Sequence, residues 1–437
     1  MRLLLIWPRT RDFPVYERLV PTLTLPYLAA LTPPSWSITI ADDNYGEVDL
    51  ASSVDLVGIS VSTMGAVRAY ELADAFRARG VPVVLGGWHA TLLPDEAAAH
   101  ADAVVVGEAD DTWATLLDDF ARGALAPRYV SRNDTDLAHF PKIDRSLLEG
   151  RRYIVRNLVQ ATRGCPYRCS FCSVSTVNPK YRRRPVDDVA AEIAALPGRA
   201  LFFIDDNVFV HREYTRDLFR ALAPLRKKWI GEVSIDIAED PELLDLAAAS
   251  GLIGVLVGFE SVLPASLQEM NKHRTNHVDR YRAQIRALHE RGVGVLGMFT
   301  FGFDHDTADV FERTLAFCDE TDIFGASFGI LTPFPGTPAY YKLEAEGRLS
   351  NRDWRLYDLQ HLVFDLPGWT PESLRAAVQN VERRFYSPTA FARRTWKLRK
   401  YPRLLRSWNL LLYAAVNLQY FTTLRHRPVA EPAVAAC

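Results

Sequence analysis

Short apolar strands alternate with helical segments along the first part of this chain, and that alternation restricts its fold more than its composition does. Residues 3–7, 38–41, 56–60, 81–85 and 103–106 read as strands rich in Val, Ile and Leu. They show little polar alternation, as strands covered on both faces of a parallel sheet do. Residues 64–79 and 111–122 carry helix periodicity, so the order is β-α-β-α and a doubly wound sheet is expected. Such sheets bind ligands at the carboxyl ends of their strands. There the chain places Ser60, Ser62 and Thr63, then Gly86, Gly87 and His89, then Gly107 and Glu108. Glycines and small hydroxyls let a large planar ligand, or its phosphate tail, approach the backbone closely. Any one of these glycines alone reads as a chain turn. Three such strand ends on one rim favour a ligand, and no G-x-G-x-x-G marks a dinucleotide.

Between Arg163 and Cys172 the chain reads R-G-C-P-Y-R-C-S-F-C, which sets Cys165, Cys169 and Cys172 at C-x-x-x-C-x-x-C spacing. Three thiolates on one short loop can hold three corners of a cubane cluster. A four-iron cluster normally takes four cysteines, so one iron is left open to another molecule. Structural zinc wants four ligands, usually with a second Cys or His pair, and no such pair follows.

Strands are expected near 158–161, 200–204, 231–235, 254–258, 294–299 and 326–331, separated by helical patterns such as 187–196 and 278–291. Repeated strand–helix units close into a full or partial barrel with its chemistry at the carboxyl ends. The cysteine loop directly follows the first of these strands. Residues 124–155, polar and containing Pro127 and Pro141, read as a linker.

At 437 residues the chain has room for two or three cores. A net charge of −2 gives no reason to expect a nucleic-acid partner. Three of the five cysteines sit in one motif, a reduced intracellular pattern. Cys318 reads as a buried core thiol and Cys437 as a loose terminal one. The apolar run after Met1 is cut by Pro8 and Arg9, too short for a signal core. The stretch 408–424 is interrupted by Asn409, Asn417 and Gln419 and falls short of a membrane span. A cytoplasmic location is expected.

The cysteine loop, with Phe171 just before its third thiol, resembles the signature of the radical S-adenosylmethionine (SAM) enzymes. The stretch from about 1 to 122 resembles the cobalamin-binding domain found in front of many of them. The matching pieces are S-V-S-T, G-G-W-H-A and V-V-V-G-E, with Ala109-Asp110 where relatives often repeat G-E. The resemblance implies a [4Fe-4S] cluster whose open iron chelates SAM, release of a 5′-deoxyadenosyl radical, bound cobalamin, and a six-stranded partial barrel. None of the ten histidines follows an aspartate at D-x-H spacing. The resemblance therefore implies cobalamin without a protein histidine on cobalt, and His89 is expected to line the site.

In relatives, the position of F-F-I-D-D-N receives the ammonium group of SAM. That assigns Asp205, Asp206 and Asn207 to binding, with helix capping as the plainer alternative. Ser234, Asp236 and Glu260 follow later strands and are expected near SAM. Glu260 lies in a G-F-E-S…N-K stretch like the family's. The turn T-P-F-P-G-T-P at 332–338 looks like a family turn that shapes the backbone. Arg182, Arg183 and Arg184 read as a solvated face or as a contact for cobalamin. Residues 349–398 resemble an extension seen near hopanoid C-2 methylases. Residues 391–427 hold nine Arg or Lys, no Asp or Glu, and interleaved aromatics. Such a tail either lies on an anionic membrane surface or packs back on the barrel.

The expected architecture is α/β. A doubly wound, flavodoxin- or Rossmann-like cobalamin domain (1–123) and a linker (124–155) precede a partial (β/α)6 TIM-like barrel (156–345) and a mainly helical extension (346–437). The expected activity is cobalamin-dependent radical SAM methyl transfer to an unactivated carbon. Cyclisation, ring contraction or another rearrangement with the same cofactors is the alternative. A methylthiotransferase would usually carry three further cluster cysteines, absent here. A non-catalytic corrinoid or cluster carrier is the remaining reading. The expected partners are a small-molecule or lipid-like substrate and an electron donor such as flavodoxin or ferredoxin.

Overall fold

The computed structural model describes residues 1–10, 20–150, 153 and 155–426, without the side chains of 407 and 419–426. Cys437 and Arg427 lie outside the described residues. The consecutive apolar residues 3–7 of β1 (Arg2–Trp7) and 56–59 of β3 (Leu56–Ser60) are explained by helices on both faces. Leu4 and Ile6 pack into the core that contains helix Ala66–Ala78. Leu3 and Leu5 pack with Leu25 and Leu116 of the helices on the other side. With β2 (Ser37–Asp42), β4 (Val83–Gly86), β5 (Ala103–Val106) and β6 (Arg128–Val130) they form a parallel sheet of order β2-β1-β3-β4-β5-β6. Strand order reverses direction between β1 and β3, the place where such sheets open a ligand crevice.

β6 corrects the expected linker. Arg128–Val130 pairs in parallel with Val104–Val106, so the first sheet reaches past residue 123. Only Tyr129 of the three is buried, and an edge strand of that length has too little pattern to announce itself.

The second sheet has the order β7-β10-β11-β12-β13-β14, again all parallel, and stays open as a six-stranded partial barrel. Its strands are β7 (Leu158–Val159), β10 (Ala200–Phe203), β11 (Lys228–Val233), β12 (Leu252–Glu260), β13 (Gly294–Phe301) and β14 (Gly325–Ile330). A small antiparallel pair, β8 (Thr162–Arg163) with β9 (Arg182–Arg183), flanks the cysteine loop. Cys318 is fully buried on helix Val310–Glu320, as its spacing suggested.

The extension completes the barrel. β14 is an edge strand, and Tyr386 satisfies its free backbone. The hydroxyl donates to Ala326 O at 2.6 Å and accepts from Ala326 N at 3.1 Å. The last helix, Ser407–His426, closes the floor at the amino ends of the strands. Asn409 donates to the carbonyls of Ile253 and Gly292, at 3.1 and 2.6 Å. Gly254 and Gly325 allow this approach, since a Cβ there would meet Leu412 and Val416 at 2.7 and 2.8 Å. The described part of the tail thus packs back on the barrel. Among the described residues no helix is long and apolar enough to cross a membrane.

Candidate active site between the two sheets

The carboxyl ends of the two sheets face each other across a cavity of about 330 Å³. Ser60, Ser62, Gly86, Gly87, Gly107 and Glu108 line it from the first domain, and Gln160, Arg163, Asn178 and Asp206 from the barrel. Its walls are apolar: Trp7, Val84, Val105 and Trp113, with Trp88 left 38 % exposed. An apolar slot with a few convergent polar groups suits a large ring-bearing ligand. Gly87 has φ +90°, and a Cβ there would sit 2.8 Å from Val61 N, so only glycine permits this rim.

Two residues expected at this rim lie outside the cavity lining. His89 is fully buried and turned away from the cavity. Its Nε2 lies 3.2 Å from Glu96 Oε1, and Glu96 also accepts from Tyr70 and Trp354. The ring thus ties the first domain to the extension. Thr63 is buried at the start of a short turn, outside the cavity lining.

Arg182 and Arg184 are not a solvated face either. Glu108 Oε2 accepts from Arg182 Nη1 at 2.7 Å, and its other oxygen pairs with Nη2. Arg163 Nη1 lies 3.2 Å from the same carboxylate and donates to Asp110 at 2.9 Å. Tyr27 donates to Asp110 as well. Asp110, the departure from the repeated G-E, therefore supplies a second carboxylate to the same cluster. These two arginines hold the Glu108 carboxyl below its usual range against burial, which acts the other way. Arg184 is buried against Gln160 O and Glu192, and Arg183 alone points outward.

The cysteine loop is braced from three sides. Gly164, with φ +85°, leads into it, and a Cβ there would lie 2.3 Å from Lys180 O. Ser170 N donates to Met270 O at 3.0 Å, Ala339 N to Ser170 O at 2.9 Å, and Asn271 Nδ2 to Arg168 O at 2.8 Å. The M-N-K segment and the proline-rich turn thus shape this loop. Cys165, Cys169 and Cys172 are half-buried, and Phe171 packs against the core. Burial pushes the Cys165 thiol up to about 11 and Cys172 to about 12. As thiolates there they need nearby positive charge, which iron supplies. Among the described residues no three Cys, His, Asp or Glu converge as a single metal ion requires. A cubane makes no such demand, because each thiolate binds a different iron.

F-F-I-D-D-N holds backbone with both carboxylates, and Asp206 also lines the cavity. Asp205 is buried and accepts from the backbone N–H groups of Ala161 and Thr162 and from the Thr162 hydroxyl. Asp206 accepts from Gly164 N at 2.9 Å. Asn207 donates to Ser234 Oγ at 2.7 Å and accepts from Phe209 N. Both carboxylates anchor the strand end and the glycine ahead of the cysteines. Glu260 sits at a bulge of β12 with φ +62°, bound by Lys272 Nζ at 2.6 Å and Thr300 Oγ1 at 3.0 Å. Sequence reasoning missed Arg163 and Asp110 as rim residues, and it missed Glu232 of β11 altogether. The one available signal for Glu232 was a charged residue on the inward alternation near a strand's carboxyl end.

Two parallel sheets joined rim to rim, with three thiols on the loop after the first barrel strand, define a radical SAM enzyme carrying a cobalamin domain. Residues 159–318 match the model of the Radical SAM superfamily and residues 17–117 that of the B12 binding domain. Bacteriochlorophyllide d C-12(1)-methyltransferase of Chlorobaculum tepidum is 32% identical over 385 residues, covering 85% of this chain and 84% of that one. Hopanoid C-2 methylase of Rhodopseudomonas palustris is 25% identical over 390 residues, covering 83% and 73%. The solved methyltransferase TsrM of Kitasatospora setae, with cobalamin and a [4Fe-4S] cluster, shares the fold at TM-score 0.66 and 20% identity, covering 79% and 78%. The chain belongs to the cobalamin-dependent radical SAM methyltransferases. Its cofactors are a [4Fe-4S] cluster, SAM and cobalamin.

Proposed function

We propose that this methyltransferase alkylates an unactivated carbon of a bulky, largely apolar, polycyclic small molecule held between the two domains. The observation that carries this reading is similarity over most of the chain to methyltransferases named for a bacteriochlorophyllide and a hopanoid. The cavity between the two strand rims, which holds cobalamin in this reading, opens toward the barrel where such an acceptor would enter. In this reading Cys165, Cys169 and Cys172 hold three irons, and Phe171 packs beside them. Ser60, Ser62, Gly86, Gly87 and Gly107 would cradle cobalamin, while Glu108 holds the rim through Arg163 and Arg182. Asp206, Ser234 and Glu260 border the space for SAM, and Asp205 and Asn207 set the backbone and side chains around it.

Once bound, these cofactors would supply a hydrogen-abstracting radical and a transferable methyl group. The chain's own contribution is placement. Fixing reactants between facing rims is worth about 7–11 kcal/mol in well-oriented cases, and the apolar walls keep water from the radical. The electron enters from a flavodoxin- or ferredoxin-type donor. Anaerobically reconstituted protein, given methyl-labelled SAM, such a donor and polycyclic acceptors, is expected to yield labelled product and 5′-deoxyadenosine. An unlabelled, rearranged product would replace this reading with a cyclase-type one.

The tail is also proposed to touch an anionic membrane peripherally. On its outer side Trp396, Leu411 and Leu418 are 65%, 61% and 63% exposed, and Arg399 lies over the Trp396 ring at 3.7 Å. Aromatic and basic residues so combined favour anionic interfaces. The full chain is expected to sediment with anionic vesicles and not with zwitterionic ones, and Leu411→Glu with Leu418→Glu to abolish this. Equal recovery with both vesicle types would refute the contact.

A further inference from the structure

Along β11 the side chains of Lys228, Ile230 and Glu232 alternate with the buried Trp229 and Val233. Trp229 packs outward against Phe203 and Phe219, so Glu232 faces the hollow of the barrel. It stands near Asp206 of β10's carboxyl end and near the Glu260–Lys272 pair of β12. Protein surrounds it, yet part of its surface stays open because it looks into that hollow.

Its neighbours differ from it in one respect. Both Asp205 oxygens are engaged, by Ala161 N, Thr162 N and the Thr162 hydroxyl, and Asp206 accepts from Gly164 N through Oδ2 while lining the cavity. Glu260 is held by Lys272 and Thr300. Among the described residues no hydrogen bond or ion pair satisfies the Glu232 carboxylate. An enclosed carboxylate without a partner is costly unless a ligand supplies one. The charges here are also unequal, with Asp206, Glu232 and Glu260 set against Lys272. Burial, with Asp206 and Glu260 adding to it, pushes the Glu232 carboxyl up to about 7. A cation entering the hollow would restore its ionised form.

We infer that Glu232 is the carboxylate that receives the cationic end of SAM inside the barrel, the part expected of Asp205 and Asp206. The inference rests on the cofactor reading above and assigns one residue within it. The two aspartates then act as positioning residues: they hold the strand end and Gly164, and through them the loop that carries the thiols. Glu232 makes the charge-assisted contact.

The test is SAM affinity, measured by equilibrium dialysis of labelled SAM against the anaerobically reconstituted full chain. Iron and sulfide contents serve as the control for an intact cluster. Glu232→Gln is expected to weaken SAM binding about tenfold to a hundredfold at unchanged iron content. Glu232→Asp, which keeps the charge, should recover part of that loss. Asp205→Asn should instead lower thermal stability and cluster content together. Unchanged SAM affinity in Glu232→Gln, beside a wild type that binds SAM, overturns the assignment and leaves the cofactor reading standing. A variant that changes only the affinity for the methyl acceptor overturns it as well. A wild type that binds no SAM at all would instead strike the cofactor reading itself.

Discussion

Cys169→Ala is expected to yield a folded protein that retains little iron and forms 5′-deoxyadenosine from SAM only at background. Two remaining thiolates cannot keep three corners of a cubane in place. The fold should survive, because the loop's shape does not come from its cysteines. It comes from Ser170 and Ala339, which bond to backbone on either side, from Asn271 on Arg168, and from Gly164 on Asp206. Circular dichroism and thermal unfolding of the variant without cluster should therefore match those of wild-type protein stripped of its cluster. Iron and sulfide analysis with visible spectra gives the decisive reading. Full cluster content in this variant, or a single zinc ion in the wild type, would contradict the three-thiol site.

Glu108→Ala should cost about 3–5 kcal/mol of stability, the usual cost of removing one partner from a buried ion pair. Glu108, Arg163 and Arg182 are nearly buried, with side-chain exposures of 6%, 10% and 13%. Alanine would leave Arg163 with Asp110 and Arg182 with no carboxylate partner among the described residues, only carbonyls such as that of Thr135, in a poorly solvated rim. Since this cluster links the first domain's rim to β8 and β9, the loss should also loosen the cavity. The thermal midpoint of the full chain should fall by roughly 3–5 °C, and cobalamin should be retained less well on gel filtration. Glu108→Gln keeps the shape without the charge and should lie between the two. A midpoint unmoved by Glu108→Ala would mean that the rim is held by its apolar contacts alone.

Much of this protein is written locally. A strand buried on both faces must be apolar at consecutive positions, so β1 and β3 were readable as parts of a parallel sheet. Three cysteines within eight residues carry their chemistry in their spacing, whatever surrounds them. Glycines at strand ends mark close approach because a side chain at positions such as Gly87 and Gly107 would collide with neighbouring atoms at backbone angles that other residues rarely take. Residue types and short separations decide all of this.

Partnership between distant segments is another matter. Asp205 and Asp206 look alike in sequence to any ligand-binding pair, and only their burial beneath Ala161, Thr162 and Gly164 makes them anchors. Arg182 resembles a surface charge until Glu108, 74 residues away, is brought against it. His89 sits on a ligand rim in sequence, yet Glu96 and Trp354 of the extension hold it elsewhere. Glu232 gains meaning only because every neighbouring carboxylate already has a donor. Spacing along the chain determines which elements form and which atoms can ligate. Burial and charge pairing are energies of the assembled molecule, so the tertiary structure alone decided which polar groups are satisfied by the protein and which still face the cavity.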